Sequence, residues 1–211
     1  MYSTTYGMVL SDTTIRRRLR EPSGLIVHPR HDRMFQPASI DLQIAEPAVL
    51  HPRDALAHVP HTSSFQLAHT LQHVQIPSDL VGQVCGTSTW GRRGLLVHCT
   101  AAWVDPGFRG QITLELANLS HDTIRIEAGE TICQLVIHQL TEPCTRPYGH
   151  PELGSRYQDS VGTVAPRERT TNQHPSGCWS ETYGIAAYCG GDGHYVCRSC
   201  ACFDTDLSEE S

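Results

Sequence analysis

Between Gly24 and Leu140 the chain falls into short stretches in which apolar and polar side chains alternate, each closed by Pro, Gly, Asp or Asn. GLIVHP, ASIDLQI, FQLAHTLQHVQIP, LVGQVCG, GLLVHCTAAWVD, GQITLELAN and DTIRIEAGETICQLVIHQL are such runs. Period-two alternation bounded by turn residues marks strands, and a succession of short ones predicts an all-β sandwich or barrel. The AGE between TIRIE and TICQLVI reads as a tight connection between two strands. One stretch departs from the pattern. SDTTIRRRLRE sets Ile15 and Leu19 at helical spacing behind Ser11, a ready N-cap, and predicts one short helix. From about Pro143 the alternation fades into a polar segment rich in Gly, Pro and Arg, read as a loop or arm.

Within GQITLELAN, Ile112, Leu114 and Leu116 share one face of a strand and Gln111, Thr113 and Glu115 the other. Glutamate is depleted in strands, so Glu115 needs a reason to be there.

A chain of 211 residues, 39% hydrophobic, suffices for one ordinary domain and an appendage, or for two small domains. It has no apolar run long enough for a transmembrane helix, and MYSTTYGMVLSD carries neither the basic nor the apolar block of a signal peptide, so the expectation is a cytoplasmic protein with no membrane partner. A formal charge of −6 argues against nucleic acid as a partner and leaves any anionic ligand to local arginines. All 16 basic residues are arginine. Schiff-base and lysine-base chemistry are therefore excluded, and the rigid guanidinium fork suits phosphate or carboxylate. Of the nine cysteines, Cys85, Cys99, Cys133 and Cys144 lie among apolar residues and read as small buried hydrophobes. Cys178, Cys189, Cys197, Cys200 and Cys202 crowd toward the end of the chain.

The candidate chemistry is concentrated in GTSTWGRRGLLVHCTAAWVDPGFRGQITLELAN. Ser88 and Thr89 occupy a turn whose backbone amides can cradle a phosphate, and Arg92 and Arg93 can add charge-assisted hydrogen bonds. The order and spacing of these parts resemble the dCTP deaminase family of the dUTPase-like superfamily. The resemblance rests on Ser88 to Leu95, His98 to Phe108 (HCTAAWVDPGF) and Gly110 to Glu115 (GQITLE). It extends to QPASIDL (Gln36 to Leu42), AGETICQL (Ala128 to Leu135), RPYG (Arg146 to Gly149) and GSRYQ (Gly154 to Gln158), and covers about Gly7 to Arg167.

The resemblance implies a mainly β, distorted barrel or jelly roll over 1–167, with a short N-terminal helix, followed by a small Cys-rich appendage over 168–211. It implies hydrolytic deamination of dCTP to dUTP and ammonia, with Glu115 as the general base that activates water against C4 of cytosine. Ser88 would place water and phosphates, and Arg92 would stabilise charge near the base. Asp105 would meet the sugar or, in an enzyme that also cleaves the triphosphate, orient the attacking water. Thr89, Arg93, Ala101 and Gln134 belong to the matching substrate-binding motifs. Tyr148, Arg156 and Tyr157 lie on an arm that closes over the triphosphate. The family pattern further implies a homotrimer with sites at subunit interfaces, no metal for deamination, magnesium accompanying the nucleotide, and dTTP as an inhibitor. Alternatives within the fold are a bifunctional enzyme yielding dUMP and pyrophosphate, and a plain dUTPase.

Some positions depart from the pattern. Thr87 stands where a basic residue is usual, Arg156 replaces a lysine, Ser160 a glutamine, and Gln43 another basic residue. The substitutions at Thr87 and Ser160 motivate a reading of another class, a nucleotide sensor without turnover. In the tail, Cys197-Arg-Ser-Cys200 has zinc-knuckle spacing, and Cys178 with Cys189, or His194 in place of one, would complete a structural zinc site. His150-Pro-Glu152 followed by Cys197-x-x-Cys200 imitates the zinc-deaminase signature. That signature needs its His and Glu at the opening of a helix, whereas these lie in a Gly- and Pro-rich stretch.

Overall fold

In a computed structural model of the chain, the described residues are 8–20, 22, 24–52 and 63–167. The appendage read over 168–211, and with it every residue of the zinc expectation, lies outside them. Helix α1 spans Asp12–Arg18, and Ser11 caps it by accepting from the Thr14 amide (3.4 Å). Asp12 in its first turn and Arg16 to Arg18 in its last complement the helix dipole, and Ile15 is fully buried beneath it.

Strands β1 (Ile26–His28), β5 (Phe65–Gln75), β9 (Arg109–Asn118) and β7 (Leu95–Val97) form one sheet in the order β1-β5-β9-β7. A second sheet runs β2 (Phe35–Gln36), β3 (Ser39–Gln43), β11 (Thr131–Gln139), β6 (Leu80–Gly86), β8 (Trp103–Val104). Strands β4 (Ala48–Leu50) and β10 (Ile124–Ile126) pair with each other. All named pairings are antiparallel. Mainly β architecture is thus as the alternation predicts. The core joins the inward faces of these strands: Ile40, Leu42, Leu50, Leu80, Leu114, Leu116 and Ile132 are each wholly inaccessible to solvent. Each such aliphatic side chain contributes about 1.5–3 kcal/mol relative to an exposed position.

The chain differs from the sequence reading in two places. GLLVHCTAAWVD is two strands, β7 and β8, in different sheets, separated by a loop at 98–102. The AGE turn is the expected tight connection, joining β10 to β11, which do not pair with each other, so it passes the chain between sheets. Gly129 takes φ +81 in it, and the Glu130 amide closes the turn on the Glu127 carbonyl (3.2 Å). Ser88–Arg92, read as a turn, is a one-turn helix, α2, held by buried Trp90, whose indole N–H donates to the Thr131 carbonyl (2.9 Å).

Candidate active site

Strand β9 is hydrogen-bonded on both sides, to β5 and β7, and this fixes which residues face which way. Ile112, Leu114 and Leu116 are buried, while Gln111, Thr113 and Glu115 are half-buried on the opposite face. Glu115 is enclosed by the loop that interrupts the β7–β8 run. Its carbonyl accepts from the His98 amide (3.1 Å) and the Cys99 thiol (3.4 Å), and its carboxylate accepts from the Thr100 amide (3.3 Å). To make this wrap, His98 adopts φ +68, a left-handed conformation unusual for a residue with a side chain. Burial, and then the charge of Glu115, push the Cys99 thiol upward, so it remains a thiol beside the carboxylate and is no thiolate nucleophile at neutral pH.

Asp105-Pro106-Gly107-Phe108 forms a turn in which the Phe108 amide donates to the Asp105 carbonyl (3.1 Å) and Gly107 takes φ +90, the type II geometry. Glycine is required here: a Cβ would stand 2.5 Å from Cβ of Pro147 and 2.8 Å from the Tyr148 backbone. Partial burial raises the pKa of Asp105. The turn is where the arm docks. The Tyr148 amide donates to Pro106 O (2.7 Å), its ring meets Phe108 edge-on at 5.8 Å, and Gln158 Nε2 donates to Gly107 O (2.9 Å).

Beyond that turn the arm follows β9. Arg109 pairs with Asp159, and the Arg109 amide donates to Gln158 Oε1 (3.1 Å). Ser160 bridges Gly110 in parallel, accepts the Gln111 amide at its carbonyl (2.8 Å), and returns its hydroxyl to Gln111 O (3.1 Å). Gly162 N donates to Gln111 Oε1 (2.7 Å), and Val164 N to Thr113 Oγ1 (3.2 Å). Thr163 Oγ1 and His69 Nδ1, on neighbouring β5, are 2.9 Å apart. The polar face of β9 is therefore covered by the chain's own arm as far as Thr113, and Glu115 is the next residue on that face.

The remaining expected site residues are placed less closely. Ser88, Thr89, Arg92 and Arg93 are exposed on α2 and at its end, with Arg93 lying 4.9 Å over the Trp90 ring. Among the described residues no hydrogen bond or ion pair connects Ser88 or Arg92 with Glu115 inside one chain. Ala101 is exposed next to Thr100. Gln134 is on β11 in the other sheet and accepts from Ser39 Oγ (2.9 Å). Tyr148 and Tyr157 meet directly, the Tyr157 amide donating to the Tyr148 hydroxyl (2.9 Å). Gln43 is structural, exchanging hydrogen bonds with buried Gln72 and donating to Gly129 O. His150 accepts from the Glu152 amide (3.3 Å) as the N-cap of a single 3-10 turn, Pro151–Leu153, and Glu152 pairs with Arg146; no α-helix opens there. Among the described residues no cluster of three or more His, Cys, Asp or Glu could hold a metal.

His98, Cys99 and Thr100 as holders of Glu115, and Thr113 and His69 as anchors of the arm, escaped the sequence reading. The one available signal was the small and polar HCTAA interrupting an otherwise apolar run.

Fold and site together describe a β protein with a strand carboxylate beside a docked C-terminal arm. The family described as dCTP deaminase-like matches residues 46–140. A protein of Methanobrevibacter smithii named "dCTP deaminase, dUMP-forming" is 34% identical over 75% of this chain and 94% of its own length. A "dCTP deaminase" of Halorubrum lacusprofundi is 39% identical over 76% of this chain and 91% of its own. Among solved structures, that of 2'-deoxycytidine 5'-triphosphate deaminase from Agrobacterium tumefaciens is similar with a TM-score of 0.48 and 18% identity, over 63% of this chain and 48% of that one. The chain belongs to the dCTP deaminase family.

Proposed function

We propose that this protein hydrolyses the exocyclic C4–N bond of dCTP, giving dUTP and ammonia. Water adds to C4 as Glu115 takes one of its protons and passes it to ring N3; the remaining hydroxyl proton is then carried to the amine, the C–N bond breaks, and ammonia leaves a C4 carbonyl. The observation that carries this reading is the setting of Glu115, a half-buried strand carboxylate oriented by the Thr100 amide, next on the polar face of β9 after the residues bonded to the arm. A base so fixed needs no reorganisation to receive a proton, and such general base catalysis is worth about 10²–10⁴ in rate.

In this reading Ser88 places water and phosphate, Arg92 stabilises charge near the cytosine, and Asp105 meets the sugar. Thr89, Arg93, Ala101 and Gln134 complete the substrate contacts, and Tyr148, Arg156 and Tyr157 close over the triphosphate. The lack of a hydrogen bond or ion pair from Ser88 or Arg92 to Glu115 within one chain, among the described residues, supports a homotrimer whose sites take residues from two subunits. Magnesium enters as part of the nucleotide substrate.

A second reading carries dCTP through to dUMP and pyrophosphate, and is favoured by the relative named as dUMP-forming. Incubation with dCTP and magnesium, with nucleotides and ammonia resolved, separates the two by the ratio of dUTP to dUMP. Glu115→Gln is expected to abolish ammonia release while dCTP still binds. Turnover that persists in this variant removes Glu115 from its role, and a wild type that binds dCTP without releasing ammonia favours the sensor.

A further inference from the structure

We propose that Arg167, a residue outside every motif above, forms with Arg156 a paired guanidinium clamp for the polyphosphate of the nucleotide; the inference rests on the nucleotide reading just given. Arg156 Nη1 donates to the Arg167 carbonyl (2.6 Å), and Arg167 Nη1 donates to the Arg156 carbonyl (2.7 Å). This exchange sets each guanidinium on the backbone of the other arginine, so both positive charges are held at the neck of the arm. Among the described residues neither guanidinium meets a carboxylate. The arm's own acids are engaged elsewhere, Asp159 with Arg109 and Glu152 with Arg146. Each fork uses one nitrogen on a carbonyl, so most of its donors have no described protein partner.

The surroundings fix the pair in place. The Arg167 amide donates to the Tyr157 hydroxyl (3.2 Å), and the Tyr157 amide donates to the Tyr148 hydroxyl (2.9 Å). The Tyr157 ring lies 5.8 Å from the Arg156 guanidinium carbon. The segment between the two arginines is the one bonded along β9 as far as Thr113. The arm is thus a loop closed at its neck by two arginines and laid on the strand that carries Glu115. Two planar forks at one neck, neither meeting a carboxylate among the described residues, fit a group with several negatively charged oxygens, which arginine binds bidentately. In a protein of net charge −6, such a local cation pair determines where a polyanion can bind.

The test is calorimetric titration of the full-length wild type, Arg167→Ala and Arg156→Ala with inorganic tripolyphosphate, dCTP and dCMP, alongside ammonia release from dCTP. Arg167→Ala is expected to weaken tripolyphosphate and dCTP by about 10-fold to 100-fold and dCMP by less than about 3-fold. Hydrogen exchange at the Gly162 and Val164 amides should stay as in the wild type, because the variant removes a ligand contact and leaves the arm docked. Equal tripolyphosphate affinity in wild type and Arg167→Ala overturns the clamp, as does a loss that appears only together with deprotection of those amides. A wild type that binds no tripolyphosphate overturns it too. If the wild type releases no ammonia yet Arg167→Ala still loses tripolyphosphate, the deaminase reading fails and the clamp stands. If ammonia is released with an unchanged KM for dCTP in Arg167→Ala, the clamp alone fails.

Discussion

Replacing Gly110 with alanine tests whether the arm is part of the folded body or a loosely attached strap. Gly110 has φ +151, a backbone region that residues with a Cβ rarely adopt. An added Cβ would lie 2.7 Å from Ser160 Oγ, 2.8 Å from Ser160 N and 3.0 Å from Ser160 O. Two of these three neighbours are backbone, so rotation of the Ser160 side chain relieves only one contact. Either β9 or the arm must move, and β9 is pinned by strands on both sides. The arm therefore yields. It loses the Gln111 amide bond to Ser160 O and the Ser160 hydroxyl bond to Gln111 O. At about 1 kcal/mol net for each hydrogen bond, arm docking weakens by about 2 kcal/mol, a factor of about 30 in its equilibrium. Backbone strain adds about 1–3 kcal/mol to the cost for the whole fold.

Native-state hydrogen exchange resolves the two contributions. The amides of Gln111, Gly162 and Val164 report on the arm, because their acceptors are Ser160 O, Gln111 Oε1 and Thr113 Oγ1. The amide of Leu10, bonded to Ile137 O, reports on the body. In Gly110→Ala the three arm amides should exchange about 30-fold faster, with a smaller change at Leu10. If the four change together, the arm does not open independently. If none changes, the close approach of Gly110 and Ser160 does not constrain the arm, and the docking argument is wrong.

Two further outcomes follow from titrating groups. Asp79 is held below the ordinary aspartate value of 3.8, chiefly by its hydrogen bonds from Arg18 and against the opposing effect of burial, so it stabilises the fold fully above pH 3.8 and loses that contribution as pH falls through its lower folded value. Asp79→Asn should cost about 1–2 kcal/mol at pH 7, and its melting temperature should converge on that of the wild type as the pH drops below 3.8; a gap that persists there refutes the assignment. Cys99, raised by burial and by Glu115, should react with iodoacetamide at pH 8 more slowly in the native protein than in urea, and only slightly faster in Glu115→Gln, since burial is the larger cause. Peptide mapping that finds native Cys99 the faster of the two would show a thiolate beside Glu115 instead.

The alternation of small runs was enough to read the β class, the helix at Ser11 and the outward face of Glu115, because each depends on local periodicity. What it could not show are features that one part of the chain imposes on another. The three-residue β4 lies in PAVLHPRD, and its pairing with β10 is not legible in its own composition. Ser88–Arg92 contains Gly91 and reads as a turn, yet Trp90 reaches the Thr131 carbonyl and holds it helical. The break between β7 and β8 depends on Glu115 drawing in the amides of His98 and Thr100, a demand made from another strand. The arm's sequence is polar and rich in glycine, which suggests a free loop. Its docking comes instead from side-chain to backbone bonds by Gln158, Ser160 and Gln111.

These tertiary bonds explain the glutamate in the strand more fully than its chemistry alone. Successive same-face residues of a strand are about 7 Å apart, so Gln111, Thr113 and Glu115 form a ladder about 14 Å long on one side of β9. The first two rungs hold the arm, through Gly162 and Val164. The third holds the carboxylate, in the grip of Thr100. A shift of the arm along β9 by one pleat would bring its next residues over Glu115, so docking register and access to the carboxylate are one geometric variable. Ser160, buried against Gly110 with its hydroxyl shared between Gln111 O and Tyr157 O, sets that register. Gly110 in turn leaves no room for a Cβ of its own beneath the Ser160 backbone. The small residue there belongs with the glycine beneath it, and the two together decide how far along the strand the arm can reach.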